Sequence, residues 1–185
     1  AGATVFSNAS AFRMDADVPL VVPEVNPGHA ELLAQQRRLR GWSGAIVCNP
    51  NCTTAVLVTA LAPLHQRFGL EQILMTSMQA VSGAGYPGAA ALDVLGNVVP
   101  YIANEELKVE EETRKLLGVL ENGTVRAAAC GVSALCHRVP VIDGHSEAVS
   151  LRLRGEPSLA AVREALATWR AEPQLRALPS APTRP

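Results

Sequence analysis

The stretch that most constrains this chain is 44–69, GAIVCNPNCTTAVLVTALAPLHQRFG. It reads as a short apolar strand (Gly44–Cys48), a tight Asn-Pro-Asn turn, and a helix from Thr53 to Phe68 that stops at Gly69. Pro63 is expected to kink that helix. A buried strand feeding a helix through a short turn is the building unit of a parallel α/β sheet. The residues upstream repeat the alternation. Thr4–Phe6 and Pro19–Val25 are apolar runs bounded by Ser, Asn and Pro, and 28–40 (GHAELLAQQRRLR) has helical character. The first fifty residues therefore read as the tail end of a parallel α/β sheet.

After Gly69 the pattern changes. Gln72–Val81 reads as a strand, 87–97 as a short helical stretch, and Asn104–Leu117 as a helix ended by Gly118. Glu residues open that last helix and Arg114-Lys115 lie near its end, as the helix dipole favours. Val109, Thr113, Leu116 and Leu117 form its expected buried stripe. Residues 124–136 and 147–154 are strand-like. In the second, Val149, Leu151 and Leu153 alternate with Ser150, Arg152 and Arg154, so one face is wet. A helix over 157–170 is expected to start at Pro157 and bury Leu159, Val162, Leu166 and Trp169. The closing PSAPTRP has no reason to be ordered alone. A fragment of a parallel α/β domain is thus followed by a mixed α+β domain.

Bulk properties narrow the function classes. The 185 residues are 48% apolar and 18% charged, with a net charge near −1, which is the profile of a soluble globular protein. There is no electrostatic footprint for nucleic acid or an anionic membrane. No apolar run approaches the roughly 20 residues of a membrane span, and no signal-like segment opens the sequence. Four cysteines are too few for a disulfide scaffold, so a reducing cytoplasm is the default expectation.

Several side chains could carry chemistry. A zinc site could be drawn from Cys48, Cys52, Cys136 and His137, but the spacings match no common ligand pattern, so no metal is expected. Cys48, Cys130 and Cys136 read as small core hydrophobes. Cys52 differs because it opens a helix, where free N–H groups and the dipole favour negative charge. On local grounds it stays open between packing and nucleophile. Gly83-Ala-Gly85-Tyr-Pro-Gly88 formally matches the dinucleotide fingerprint. Pro87 at the helix entry and Asn97-Val-Val-Pro100 as a poor following strand argue against it. It reads as an active-site loop. In HRVPVIDGH (137–145), an arginine fork for a carboxylate and a proton-exchanging histidine could face one cavity. The bland reading, a surface arginine and a loop histidine, holds until a nucleophile is found for them. Glu106 and Lys108 read as an ordinary solvated helix start.

Taken together, SNASAFR (7–13), PLVVPEVN (19–26), NPNCTT (49–54), MQAVSGAGYPG (78–88), NEELKVEEETRKLLG (104–118) and RVPVIDGH (138–145) resemble the aspartate-β-semialdehyde dehydrogenases, in that family's order and over nearly the whole chain. The Q-A-V-S-G-A-G-Y and R-V-P-V-x-D-G-H versions are similar to the archaeal and fungal branch. The resemblance implies that residues 1–51 are the remnant of a Rossmann-like NADP-binding domain and 52–185 a truncated catalytic and dimerisation domain. It implies reduction of aspartyl-β-phosphate by NADPH to the semialdehyde, on the route to lysine, threonine and methionine. Cys52 becomes the thioester-forming nucleophile and His145 the general acid/base. Gln79 orients the reacting end, Arg138 holds the substrate carboxylate and Glu106 its ammonium group. Arg13, Lys108 and Asn8 take the phosphate, and Ser82 and Gly83 line the nicotinamide site.

The family's chains begin with a strand–glycine-loop–helix unit ahead of the Ala1 position and continue past LPSAPTRP. The resemblance therefore implies an internal segment lacking both ends, with little or no dehydrogenase activity alone. It implies a homodimer or homotetramer at full length, a small-molecule substrate, and neither nucleic acid nor membrane as partner. Two rival readings stand beside it: a malonyl-CoA reductase using the same thioester logic, and an inactive dimerisation fragment. The presence of Glu106 leans against the first.

Overall fold

The computed structural model describes residues 2–181. The expectations for Ala1 and for the last residues of PSAPTRP lie outside that range. Two strands, β1 (Thr4–Ser7) and β2 (Ala45–Cys48), pair in parallel with Thr4 opposite Ala45 and Ser7 opposite Cys48. Between them run a 3-10 turn over Pro27–Glu31 and helix α1 (Leu32–Arg40), which stops at Gly41. The helical expectation for 28–40 is met from Leu32 onward, with the tighter 3-10 turn before it. The strand expected over Pro19–Val25 does not form. Leu20 makes one isolated bridge to Cys48, and Asn26 holds the rest as a loop. The Asn26 side chain accepts from the Val22 amide and donates to the Leu20 carbonyl. Val18 and Leu20 are nevertheless completely buried, so apolarity reported burial here and not extension.

Helix α2 (Cys52–Phe68) begins at the nucleophile candidate and runs through Pro63. Leu57, Leu61 and Leu64, spaced for one helical face, turn into the core with Val58. Strand β3 (Leu70–Gln79) follows, then the minor helix α3 (Ala91–Val94) and helix α4 (Glu105–Leu116). Val109, Thr113, Leu116 and Leu117 are all buried, as their periodicity requires. Gly118 then enters a hairpin: β4 (Val119–Glu121) and β5 (Thr124–Arg126), joined by Asn122-Gly123 with both residues at positive φ. A Cβ on Gly118 would meet the Arg126 carbonyl oxygen at 2.6 Å, so only glycine fits there.

Strand β6 (Gly131–Arg138) and strand β7 (Ser146–Leu153) flank β3, parallel and antiparallel respectively. The single strand expected over 124–136 is therefore two elements, divided by a connection at 127–130. Helix α5 (Leu159–Thr168) begins at its N-cap Ser158, whose side chain accepts from the Ala161 amide; α6 (Pro173–Arg176) is a single turn. Pro157 thus precedes the α5 cap. The expected buried stripe holds only in part: Val162 and Trp169 are half-buried, Leu159 and Leu166 are exposed, and Ala165 is the fully buried contact. A small residue lets α5 lie close to α2.

The inner face of the three-stranded sheet packs Ile73, Met75, Ala134 and Cys136 against α2 and α4. The outer face leaves Leu74, Met78 and Leu135 exposed. No described helix is long and apolar enough to cross a membrane.

Candidate active site

Strand β2 ends in Asn-Pro-Asn, and Asn51 caps α2: its side chain accepts from the Thr54 amide at 3.2 Å. The next residue, Cys52, is the exposed cysteine; Cys48, Cys130 and Cys136 are buried, and burial pushes each of those three thiols up. Cys52 Sγ lies 3.3 Å from His145 Nε2.

Two strand ends bring the rest of the site to that thiol. Gln79 and Arg138 are register partners at the last positions of β3 and β6, so their side chains share the inner face. The loops that follow are clasped together: Val139 donates its amide to Gln79, Val81 to Val141 and Ser82 to Ile142. This clasp delivers His145 to Ala80. The Ala80 amide donates to His145 Nδ1 at 3.2 Å, and Arg138 Nη1 donates to the Ala80 carbonyl at 2.7 Å. One backbone residue thus orients two functional side chains. With an N–H donor on Nδ1, the neutral ring carries its proton on Nε2, aimed at the sulfur. Gly83 permits the close fit, since a Cβ there would sit 2.9 Å from His145 Cε1 and 3.0 Å from Arg138 Nη1.

The carboxylates divide differently from the sequence expectation. Glu106 accepts from the Cys136 amide at 3.1 Å, so its carboxylate is spent on strand β6. Glu105 is the carboxylate beside the site. It is buried, accepts from Asn51 Nδ2 at 2.7 Å and Gln79 Nε2 at 3.4 Å, and lies 3.8 Å from Lys108 Nζ. The Glu105–Lys108 spacing of three on a helix was the available signal, because it puts both on one face. Arg13 is buried: Nη1 donates to Glu112 at 2.9 Å and Nη2 to the Asn8 carbonyl at 2.6 Å. The Asn8 side chain accepts from Asn49 Nδ2 at 2.7 Å. Ser82 and Gly83 lie on the exposed 3-10 turn Val81–Ala84. Cys52, His145, Gln79, Arg138 and Gly83 therefore converge, with Lys108 one ion pair behind and Arg13 anchored on the other side of Asn51. Asn51, Ala80, Glu105 and Glu112 were absent from the sequence-based set. Asn51 had a legible signal as an N-cap residue, whereas Ala80 and Glu112 act through long-range bonds that leave none.

An exposed thiol at a helix start, an imidazole on it, and an arginine and a carboxylate alongside form a candidate cysteine-nucleophile site on an α/β scaffold. Family comparisons identify that scaffold. The family model for the semialdehyde dehydrogenase dimerisation domain matches residues 61–185, and that for its NAD binding domain matches 1–33. The chain belongs to the semialdehyde dehydrogenase family. It is 51% identical to the aspartate-semialdehyde dehydrogenase of Methanothermobacter thermautotrophicus over 181 residues, which is 98% of this chain and 52% of that protein. It is 53% identical to that of Archaeoglobus fulgidus over 184 residues, 100% of this chain and 52% of that one. The crystal structure of aspartate semialdehyde dehydrogenase with NADP from Candida albicans superposes with a TM-score of 0.78 at 41% identity, covering 89% of this chain and 48% of that one. The chain spans about half the length of the curated relatives it matches.

Proposed function

We propose that this chain carries the acyl-transfer half of an aspartate-semialdehyde dehydrogenase, which makes L-aspartate 4-semialdehyde from L-aspartyl-4-phosphate and NADPH. The observation that carries the reading is the 3.3 Å approach of Cys52 Sγ to His145 Nε2 at the α2 N-terminus. In this reading residues 1–51 belong to the cofactor-binding unit and 52–185 to the catalytic and dimerisation unit.

Cys52 releases its thiol proton to solvent and attacks the acyl carbon as the thiolate; the carbon–oxygen bond to phosphate breaks, phosphate leaves, and a thioester remains on sulfur. His145, as the Nε2–H tautomer, donates first to the thiolate. It then donates to the carbonyl oxygen as negative charge develops there. Among the described residues Arg138 makes one side-chain bond, to Ala80, and its remaining N–H groups take the substrate α-carboxylate. Glu105, in place of Glu106, takes the ammonium group, and Gln79 beside it orients the reacting end. Lys108 and Arg13 supply the positive charge that faces the phosphate, and the neutral Asn8 side chain adds hydrogen bonding. Ser82, Gly83, Ala84 and Gly85 are small and exposed next to His145, which fits the flat nicotinamide end of NADP. When bound, the cofactor supplies the hydride that reduces the thioester. The outer sheet face bearing Leu74, Met78 and Leu135 is the surface for a second copy, in keeping with the dimerisation-domain match. A cytoplasmic setting and the lysine, threonine and methionine route follow from the same reading.

Mass spectrometry after exposure to an acyl phosphate tests the first step. The chain should gain one acyl group on Cys52, Cys52→Ala should gain none, and an unmodified wild-type chain refutes the reading. Acylation by malonyl-CoA but not by an acyl phosphate would transfer the assignment to a malonyl-CoA reductase.

A further inference from the structure

Helix α4 turns four charged residues, Glu105, Lys108, Glu112 and Lys115, toward the nucleophile turn and the 8–18 loop. Glu105 and Lys108 have a place around the proposed reaction and Lys115 ties down the loop; Glu112 is given no contact with substrate or thiol, yet it is the most buried of the four at 2% exposure. Its Oε1 accepts from Arg13 Nη1 at 2.9 Å and its Oε2 accepts from the Asn51 backbone amide at 2.6 Å. That amide belongs to the residue immediately before Cys52. An amide at a helix start has no intrahelical acceptor, so an acceptor supplied from elsewhere decides how the turn sits.

Asn51 is then held at three points. Its amide goes to Glu112, its side-chain nitrogen to Glu105 at 2.7 Å, and its side-chain oxygen receives the Thr54 amide. Glu105 and Glu112 are seven residues apart, two turns of one helix face. The spacing makes α4 a rigid two-point rest for the turn that presents the thiol. Arg13 supplies a counter-charge that offsets part of the cost of burying the carboxylate there. Both groups on Glu112 are N–H donors. A carboxylate satisfies both, while a glutamine would offer one oxygen and press its NH2 against the other donor.

We infer that Glu112 is a positioning residue that holds the Asn51–Cys52 turn in its reactive geometry. This rests on the acyl-transfer reading above for its purpose, though not for its geometry. Lys115 provides the control. It lies on the same helix and ties down the neighbouring loop through the Arg13, Asp15 and Val18 carbonyls, but it does not touch Asn51.

The test is iodoacetamide alkylation of Cys52 on the whole chain, at a temperature below every variant's unfolding transition. Glu112→Gln is expected to slow alkylation on the order of tenfold or more. Lys115→Met, though less stable, is expected to alkylate at the wild-type rate. Independently, the Asn51 amide of the wild-type chain should be protected from hydrogen exchange and shifted downfield in the NMR spectrum. Wild-type alkylation by Glu112→Gln, or equal slowing by Lys115→Met, overturns the inference. If Glu112→Gln does not fold, the Asn51 amide decides alone: rapid exchange overturns the inference and protection upholds it. Failure of the wild-type chain to acylate from an acyl phosphate would remove the proposed function while leaving these outcomes intact.

Discussion

Glu112 and Glu147 are two carboxyls with buried oxygens on different elements, α4 and β7, and the chain treats them differently. Glu112, on α4, meets a guanidinium and a backbone amide. Glu147, near the start of β7 and opposite Ser77, has a buried Oε1 atom with no hydrogen-bond partner among the described residues. Burial raises both carboxyls, but at Glu112 the Asn51 amide and Arg13 pull back, whereas at Glu147 nothing opposes it and the value rises from 4.5 to about 7. The contrast teaches that a buried carboxyl is either a structural anchor or a pH-dependent burden, and that its partners decide which.

The largest test of that contrast is Glu112→Ala. It strands a buried Arg13 and an unpaired Asn51 amide, so it should cost about 3–5 kcal/mol in urea unfolding. A loss below about 1 kcal/mol would erase the distinction between the two sites. Lys115→Met comes next. It orphans three carbonyls now served by one ammonium group, and an expected loss of about 1–3 kcal/mol would appear in the same experiment. Glu147→Gln should have the smallest effect and the opposite sign. A carboxyl whose folded value is raised is no burden below pH 4.5, where folded and unfolded chains are both protonated. The native state loses stability as pH rises toward and through about 7. The variant should therefore match wild type at pH 4 and be more stable at pH 8. Screening at this partly exposed position limits the gain to under about 1 kcal/mol. Thermal melts at the two pH values check the sign, and equal shifts at both would mean that the carboxyl's charge is not the cause.

Much of the scaffold was readable because its signals are local. The strand and helix around Asn-Pro-Asn, the apolar stripe of α4 and the wet face of β7 depend on residues a few positions apart. The errors share a different cause. Pro19–Val25 has strand composition, but Asn26 folds back onto Val22 and Leu20 and leaves a single bridge. The α5 stripe was misread in part because its contact with α2 uses the small Ala165. At the site, Cys52 and the Arg138–His145 segment were both candidates on local grounds, and the family resemblance supplied their expected roles. Glu106 was chosen over Glu105 because adjacent glutamates look alike until the helix is set against Asn51 and Gln79.

By itself, then, the sequence determined that a cysteine would open a helix after a parallel strand, that α4 would bury one stripe, and which family the chain belongs to. These follow from periodicity, caps and short motifs. The tertiary structure alone decided which glutamate faces the site, how the Ala80 amide orients the His145 ring, and that Glu112 reaches 61 residues back to the amide before Cys52. Those are hydrogen bonds between groups far apart in the chain, and their partners are chosen only when α4 and the two strand ends pack around Asn51.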